Sequence, residues 1–145
     1  FAGSSRRLLP LALDLVDYHY HYAAALMAVP PAPRKPPRDI LNRRLWRAES
    51  ARLATFSYEI LDILEAGEPD LPRLARALQP VGSFAVIYPM EGEVRTESLA
   101  EPYFRLLQQL DGGGLVSSLL PRLRIPQQDA LAFLQFALQE GIVTC

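Results

Sequence analysis

Five prolines fall in the ten residues from Val29 to Arg38, and no other feature limits the folds open to this chain so sharply. Proline lacks a backbone N–H and fixes φ, so this stretch can be neither a helix interior nor a central strand. It reads as a stiff linker. A helical segment, residues 1–29, precedes it, and a basic extension carries it on to about residue 52.

In the first segment almost every residue from Leu11 to Ala28 favours or tolerates helix, and Pro10 is acceptable in a first turn, where no backbone donor is needed. The spacing predicts a helix of about five turns. Leu11, Leu15, Tyr18, Tyr22 and Leu26 recur every three or four residues, and the helix is apolar around most of its circumference, so it should be buried or should cover a partner's surface. The run from Leu8 to Val29 has the length of a membrane span, but Asp14, Asp17, His19 and His21 interrupt it, and ionisable groups are costly in hydrocarbon. A helix packed on protein, with no membrane partner, is the better reading.

Beyond the linker, Leu53 to Leu61 places Phe56, Tyr58 and Ile60 on alternate positions and predicts a strand, with a helix over Tyr58 to Ala66 as the competing reading. Pro72 to Leu78 predicts a short helix capped by Asp70. Ser83 to Tyr88 is the clearest strand, and with Glu91-Gly92 and Val94 to Thr96 it predicts an antiparallel hairpin. Residues 53–97 thus form a small α+β section. Ser98 should cap a helix to about Leu110, with Leu99, Tyr103, Leu106, Leu107 and Leu110 on its apolar face, ended by Asp111 and three glycines read as a stop and hinge. A further helix from Leu115, a break at residues 122–125, a helix from Pro126 to Glu140 and a short strand at Ile142-Val143 give residues 98–145 a winged-helix-like rhythm. The expected fold class is α+β: a long N-terminal helix, a small antiparallel hairpin or sheet, and a C-terminal winged-helix-like three-helix module.

Fifteen basic and sixteen acidic side chains leave a formal net charge of −1, without the positive field of a dedicated nucleic-acid binder. One local exception exists. Between Arg34 and Arg52 stand seven basic and two acidic residues, with Arg43, Arg44 and Arg47 as a possible basic patch and Trp46 available for stacking. A solvated or acid-paired linker accounts for the same residues. The last long helix has no basic residue and carries Asp129 and Glu140, which disfavours a helix in the major groove. A single cysteine, Cys145, allows no internal disulfide and suits a reducing, cytoplasmic compartment. Phe-Ala-Gly-Ser-Ser at residues 1–5 lacks the pattern of a signal peptide and reads as a truncation.

Asp14, Asp17 and His21 share one helix face at 100° per residue and could relay a proton or contribute metal ligands. One face supplies few ligands, however, and a polar stripe in which Asp17 pairs with His21 is the better reading of the spacing. The run Tyr18, His19, Tyr20, His21, Tyr22 suits either a contact with a neighbouring domain or the edge of a core. Nucleophile elbows, phosphate-binding glycine loops, Cys-x-x-Cys pairs and metalloprotease histidine pairs are all missing from the sequence. Catalytic and metal residues are therefore expected to lie elsewhere.

Taken together, Leu13-Asp14-Leu15-Val16-Asp17-Tyr18-His19-Tyr20-His21-Tyr22, Phe84-Ala85-Val86-Ile87-Tyr88-Pro89 with its hairpin, and the terminal stretch from Phe133 to Val143 resemble the C-terminal region of radical S-adenosylmethionine (radical SAM) enzymes that also bind cobalamin (B12). The resemblance implies upstream catalytic domains in the same chain, holding cobalamin, S-adenosylmethionine and a 4Fe-4S iron-sulfur cluster. It gives this segment the part of an accessory C-terminal domain that packs on the barrel and helps to enclose or position substrate. The family's Cys-x-x-x-Cys-x-x-Cys motif has no counterpart here, and Cys145 alone cannot ligate such a cluster. The alternative is a protein- or peptide-interaction module, separate from any enzyme, that binds through its winged-helix-like end.

Overall fold

A computed structural model of the chain describes residues 2–32, 34–67 and 70–145, with side chains from Leu8 onward. Phe1, which the truncation reading invoked, and Pro33 of the proline tract lie outside the described residues. The fold is α+β, with a long N-terminal helix, six α-helices among the described residues and two small antiparallel sheets.

Helix α1 spans Ala2–Met27, so Pro10 sits inside it and not in its first turn. The sequence reading placed the proline in the first turn; in the structure the helix extends two turns before it. Residues 28–32 and 34–39 then run without helix or strand, in keeping with the prolines among them. A 3-10 turn at Ile40–Asn42 leads into β1 (Arg44–Arg47) and, after a tight turn, β2 (Arg52–Phe56). The basic stretch is therefore partly a strand.

Strand β2 stops at Phe56, and α2 (Ile60–Ala66) follows at once. The competing helical reading was the better one for residues after Tyr58. Helix α3 (Leu71–Ala77) begins as predicted, with the Asp70 side chain accepting from the Arg73 N–H at 3.3 Å. Strands β3 (Ser83–Met90) and β4 (Glu93–Leu99) form the hairpin. Its two turn residues, Glu91 and Gly92, have φ of 53° and 79°, which is the left-handed pair that lets a two-residue turn match the twist of the strands.

Because β4 continues to Leu99, Ser98 is not a helix cap. Its hydroxyl bonds Glu59 at 3.0 Å, and α4 (Glu101–Gln109) starts from Ala100 without a side-chain cap. The glycines after α4 are likewise no mere stop. They lie in β5 (Asp111–Leu115), which pairs with β1. Gly112 holds φ of +76° directly against the Trp46 indole, where a Cβ would collide with the ring. Only glycine meets both demands. Helices α5 (Val116–Leu123) and α6 (Gln127–Gln139) and strand β6 (Val143–Thr144) complete the chain.

The two sheets have the orders β2-β3-β4 and β5-β1-β6, all pairs antiparallel. Strand β3 organises the molecule, because its alternate residues enter different cores. Ala85 and Ile87 join Leu11, Tyr18, Ala25, Phe56, Tyr58, Ile60 and Leu74 beneath α1, α2 and α3. Val86 and Tyr88 join Leu45, Leu106, Leu107, Leu134 and Ile142 of the β5-β1-β6 sheet and its helices. A strand buried on both faces reads as a continuous apolar run, and the stretch from Phe84 to Tyr88 is one. Glu140 ties the halves at the rim by accepting from the Tyr88 hydroxyl at 2.8 Å and from Arg95 at 2.7 Å.

Candidate functional site

Helix α1 carries every residue of the predicted polar face, and the structure divides them. Asp14 turns inward. One carboxylate oxygen accepts from the Ser57 N–H and the other from the Tyr58 N–H, both at 2.9 Å. These amides belong to the bend between β2 and α2, so the buried Asp14 side chain pins that bend to α1. Burial pushes the carboxyl up from its ordinary range, and the two amide bonds pull against that shift without cancelling it.

Asp17 and His21 point sideways. His21 Nε2 lies 3.4 Å from Asp17, while Nδ1 accepts from Arg52 Nε at 2.9 Å. A nitrogen that accepts from an arginine holds no proton, so the imidazole is neutral, with its proton on Nε2 toward Asp17. Burial lowers the His21 pKa; Asp17 opposes that and Arg52 adds to it. The Arg52 guanidinium also stacks 5.3 Å from the Tyr20 ring centre. Asp14 thus serves the backbone while Asp17 and His21 serve Arg52, and among the described residues no cluster of three or more His, Cys, Asp or Glu could hold a metal.

The tyrosines are divided too. Tyr18 is buried, packs on Phe56 and bonds Thr96 through its hydroxyl at 3.0 Å. Tyr22 lies partly exposed beside it, with ring centroids 6.1 Å apart, and Tyr20 faces outward. Leu26, expected on the buried face, is exposed, and Ala25 takes the buried position.

Sequence reasoning expected α1 to be buried or to cover a partner, but did not single out a second seam. Leu9, Leu13, Val16, Tyr20, Ala23 and Met27 are spaced 4-3-4-3-4 along α1, the repeat by which one helix faces another. On a helical projection they lie opposite Leu11, Leu15, Tyr18, Tyr22 and Ala25. All six are exposed; Leu13 keeps 58 % of its surface in water and Met27 85 %. The signal was present in the sequence. An apolar stripe around most of a helix leaves a second face whenever the core covers only the first.

The predicted basic patch does not form one face. Arg43 pairs with Asp39 at 2.9 Å. Arg44 is exposed at the start of β1, and Arg47, three residues on, belongs to the opposite strand face and donates to the Ala51 carbonyl at 2.7 Å. Trp46 is committed to Gly112. No helix among the described residues is long and apolar enough to cross a membrane. No protein family matches the chain, and no curated protein matches it at a significant level.

Proposed function

We propose that this chain is an accessory docking domain whose α1 helix covers an apolar surface of catalytic domains in the same polypeptide. The observation that carries the reading is the outward seam of α1. Six exposed side chains in helix-pairing register form one apolar strip, and a contiguous exposed apolar surface is a feature of binding sites. The inward face of α1 is held by Asp14 and Tyr18, so the helix offers this strip as a rigid, pre-ordered ridge, and ordering it on contact loses little conformational entropy.

The sequence resemblance supplies the partner: the barrel of a cobalamin-binding radical SAM enzyme, with cobalamin, S-adenosylmethionine and the iron-sulfur cluster held upstream. A ridge of this kind would close one side of a reaction chamber, exclude water and fix substrate position, while the chemistry stays with the cofactors. The test is a polypeptide that includes the preceding sequence. It should contain three clustered cysteines, and the paired change Leu13→Asp with Val16→Asp should detach this domain from the barrel in limited proteolysis without unfolding it. A preceding sequence free of such cysteines would overturn the enzyme assignment.

A second reading, an interaction module independent of any enzyme, rests on the C-terminal half. It reads the order α4, β5, α5, α6, β6, with β1 in the middle of the sheet, as a winged-helix-like plan. Strand β5 is exposed and, among the described residues, paired on one side only, so an extended peptide could add to its glycine-rich edge. Gly114→Pro would then abolish peptide binding, whereas the Leu13 and Val16 changes would leave it intact.

A further inference from the structure

Arg47 and Arg52 flank the turn between β1 and β2 and line one open pocket of about 190 Å3, together with His21, Glu49, Ala51 and Leu53. Both arginines are half-buried. Among the described residues neither has a carboxylate within 4.0 Å. That is unusual, because guanidinium groups withdrawn from water normally gain a counter-charge. Burial pushes the Arg47 guanidinium down from its ordinary range, and the positive field of Arg52 pushes it further in the same direction. The turn also contains Ser50, buried, with a hydroxyl that has no hydrogen-bond partner among the described residues.

The donors are held in place and mostly unspent. Arg47 gives one Nη–H to the Ala51 carbonyl, and Arg52 gives Nε–H to His21. Each guanidinium has five N–H donors, so both retain most of a fork suited to a planar or tetrahedral oxyanion. Arg52 is fixed from one further direction by the Tyr20 ring, and Asp17 orients the His21 imidazole that accepts from it. The pocket is open to solvent and admits a phosphate or carboxylate group. Glu49, the acidic residue on its wall, is exposed and reaches neither arginine.

We propose that Arg47 and Arg52 form a binding site for an oxyanion group, a phosphate or a carboxylate, carried by a ligand that lies along the C-terminal half of α1. His21 is a positioning residue for Arg52 and does not itself contact the anion. The site stands whether or not α1 docks on a catalytic barrel.

The experiment titrates inorganic phosphate and, separately, acetate into the isotopically labelled 145-residue protein at constant ionic strength, following the arginine Nε–Hε resonances. Saturable shifts at Arg47 and Arg52 are expected, with affinity falling as chloride is raised. Arg47→Gln should weaken binding at least tenfold and so should Arg52→Gln, while Arg38→Gln in the linker leaves it unchanged. Tighter phosphate than acetate assigns a phosphorylated ligand; equal affinities assign a carboxylate. Shifts that fail to saturate, that chloride alone reproduces, or that survive Arg47→Gln undiminished would overturn the site. Should Arg52→Gln not fold, the mapping on the native protein and Arg47→Gln still decide it.

Discussion

Single residues here do structural work that their chemistry would not suggest. Asp14 resembles half of an acid–base pair, yet it ends as the acceptor for two amides at a bend. Asp14→Ala strands both N–H groups, and we expect a loss of about 2–4 kcal/mol in denaturant unfolding. His21 sets a pH response of definite sign. Its folded pKa lies below the ordinary 6.5, so the unfolded chain binds the proton more readily. Stability contributed by the neutral imidazole is present above 6.5 and is lost as pH falls through 6.5 toward the folded value. His21→Gln, which keeps an acceptor for Arg52, should flatten the unfolding midpoint between pH 7.5 and 5.5; an unchanged slope would remove His21 as the cause. At Gly112 the expectation is a coupling: Gly112→Ala destabilises, and Trp46→Ala in the same chain recovers part of the loss by vacating the space the new methyl needs, although the strain at φ of +76° persists.

At the scale of elements, legibility followed periodicity. The β3–β4 hairpin, α3 and α6 were readable because β-branched runs, turn pairs and helix stripes are local signals. Where a local signal met a tertiary one, the tertiary one won. Residues 111–115 look like a helix stop, since three glycines have poor strand propensity, but pairing with β1 and the Trp46 contact make them a strand. Ser98 looks like a cap and is absorbed into β4 because Phe84 and Ala85 extend the ladder to Leu99 and Ser98. The candidate site was half legible: the shared face of Asp17 and His21 follows from spacing alone, whereas Arg52 is 31 residues from its imidazole partner and no pattern announces that meeting. Helix α1 makes its own prediction. Leu13→Asp with Val16→Asp should leave unfolding free energy within about 0.5 kcal/mol, as for other exposed positions, while lowering self-association of the isolated chain in light scattering.

Across the whole molecule, two cores share one strand, so the halves should unfold together. Tyr88→Phe removes a rim bond to Glu140 but not the buried ring, and about 1 kcal/mol should be lost in a single transition reported alike by probes in either half. Two separated transitions would mean that β3 does not couple the cores.

The seating of β1 between β5 and β6 has an outcome for synthesis. The middle strand of that sheet leaves the ribosome long before either neighbour, and Arg47 waits for Val143. Closure depends on contacts nearly a hundred residues apart, the kind that slow folding. A peptide restricted to residues 98–145 would lack the strand that joins its two edges, and its circular dichroism should show helices without a cooperative melt.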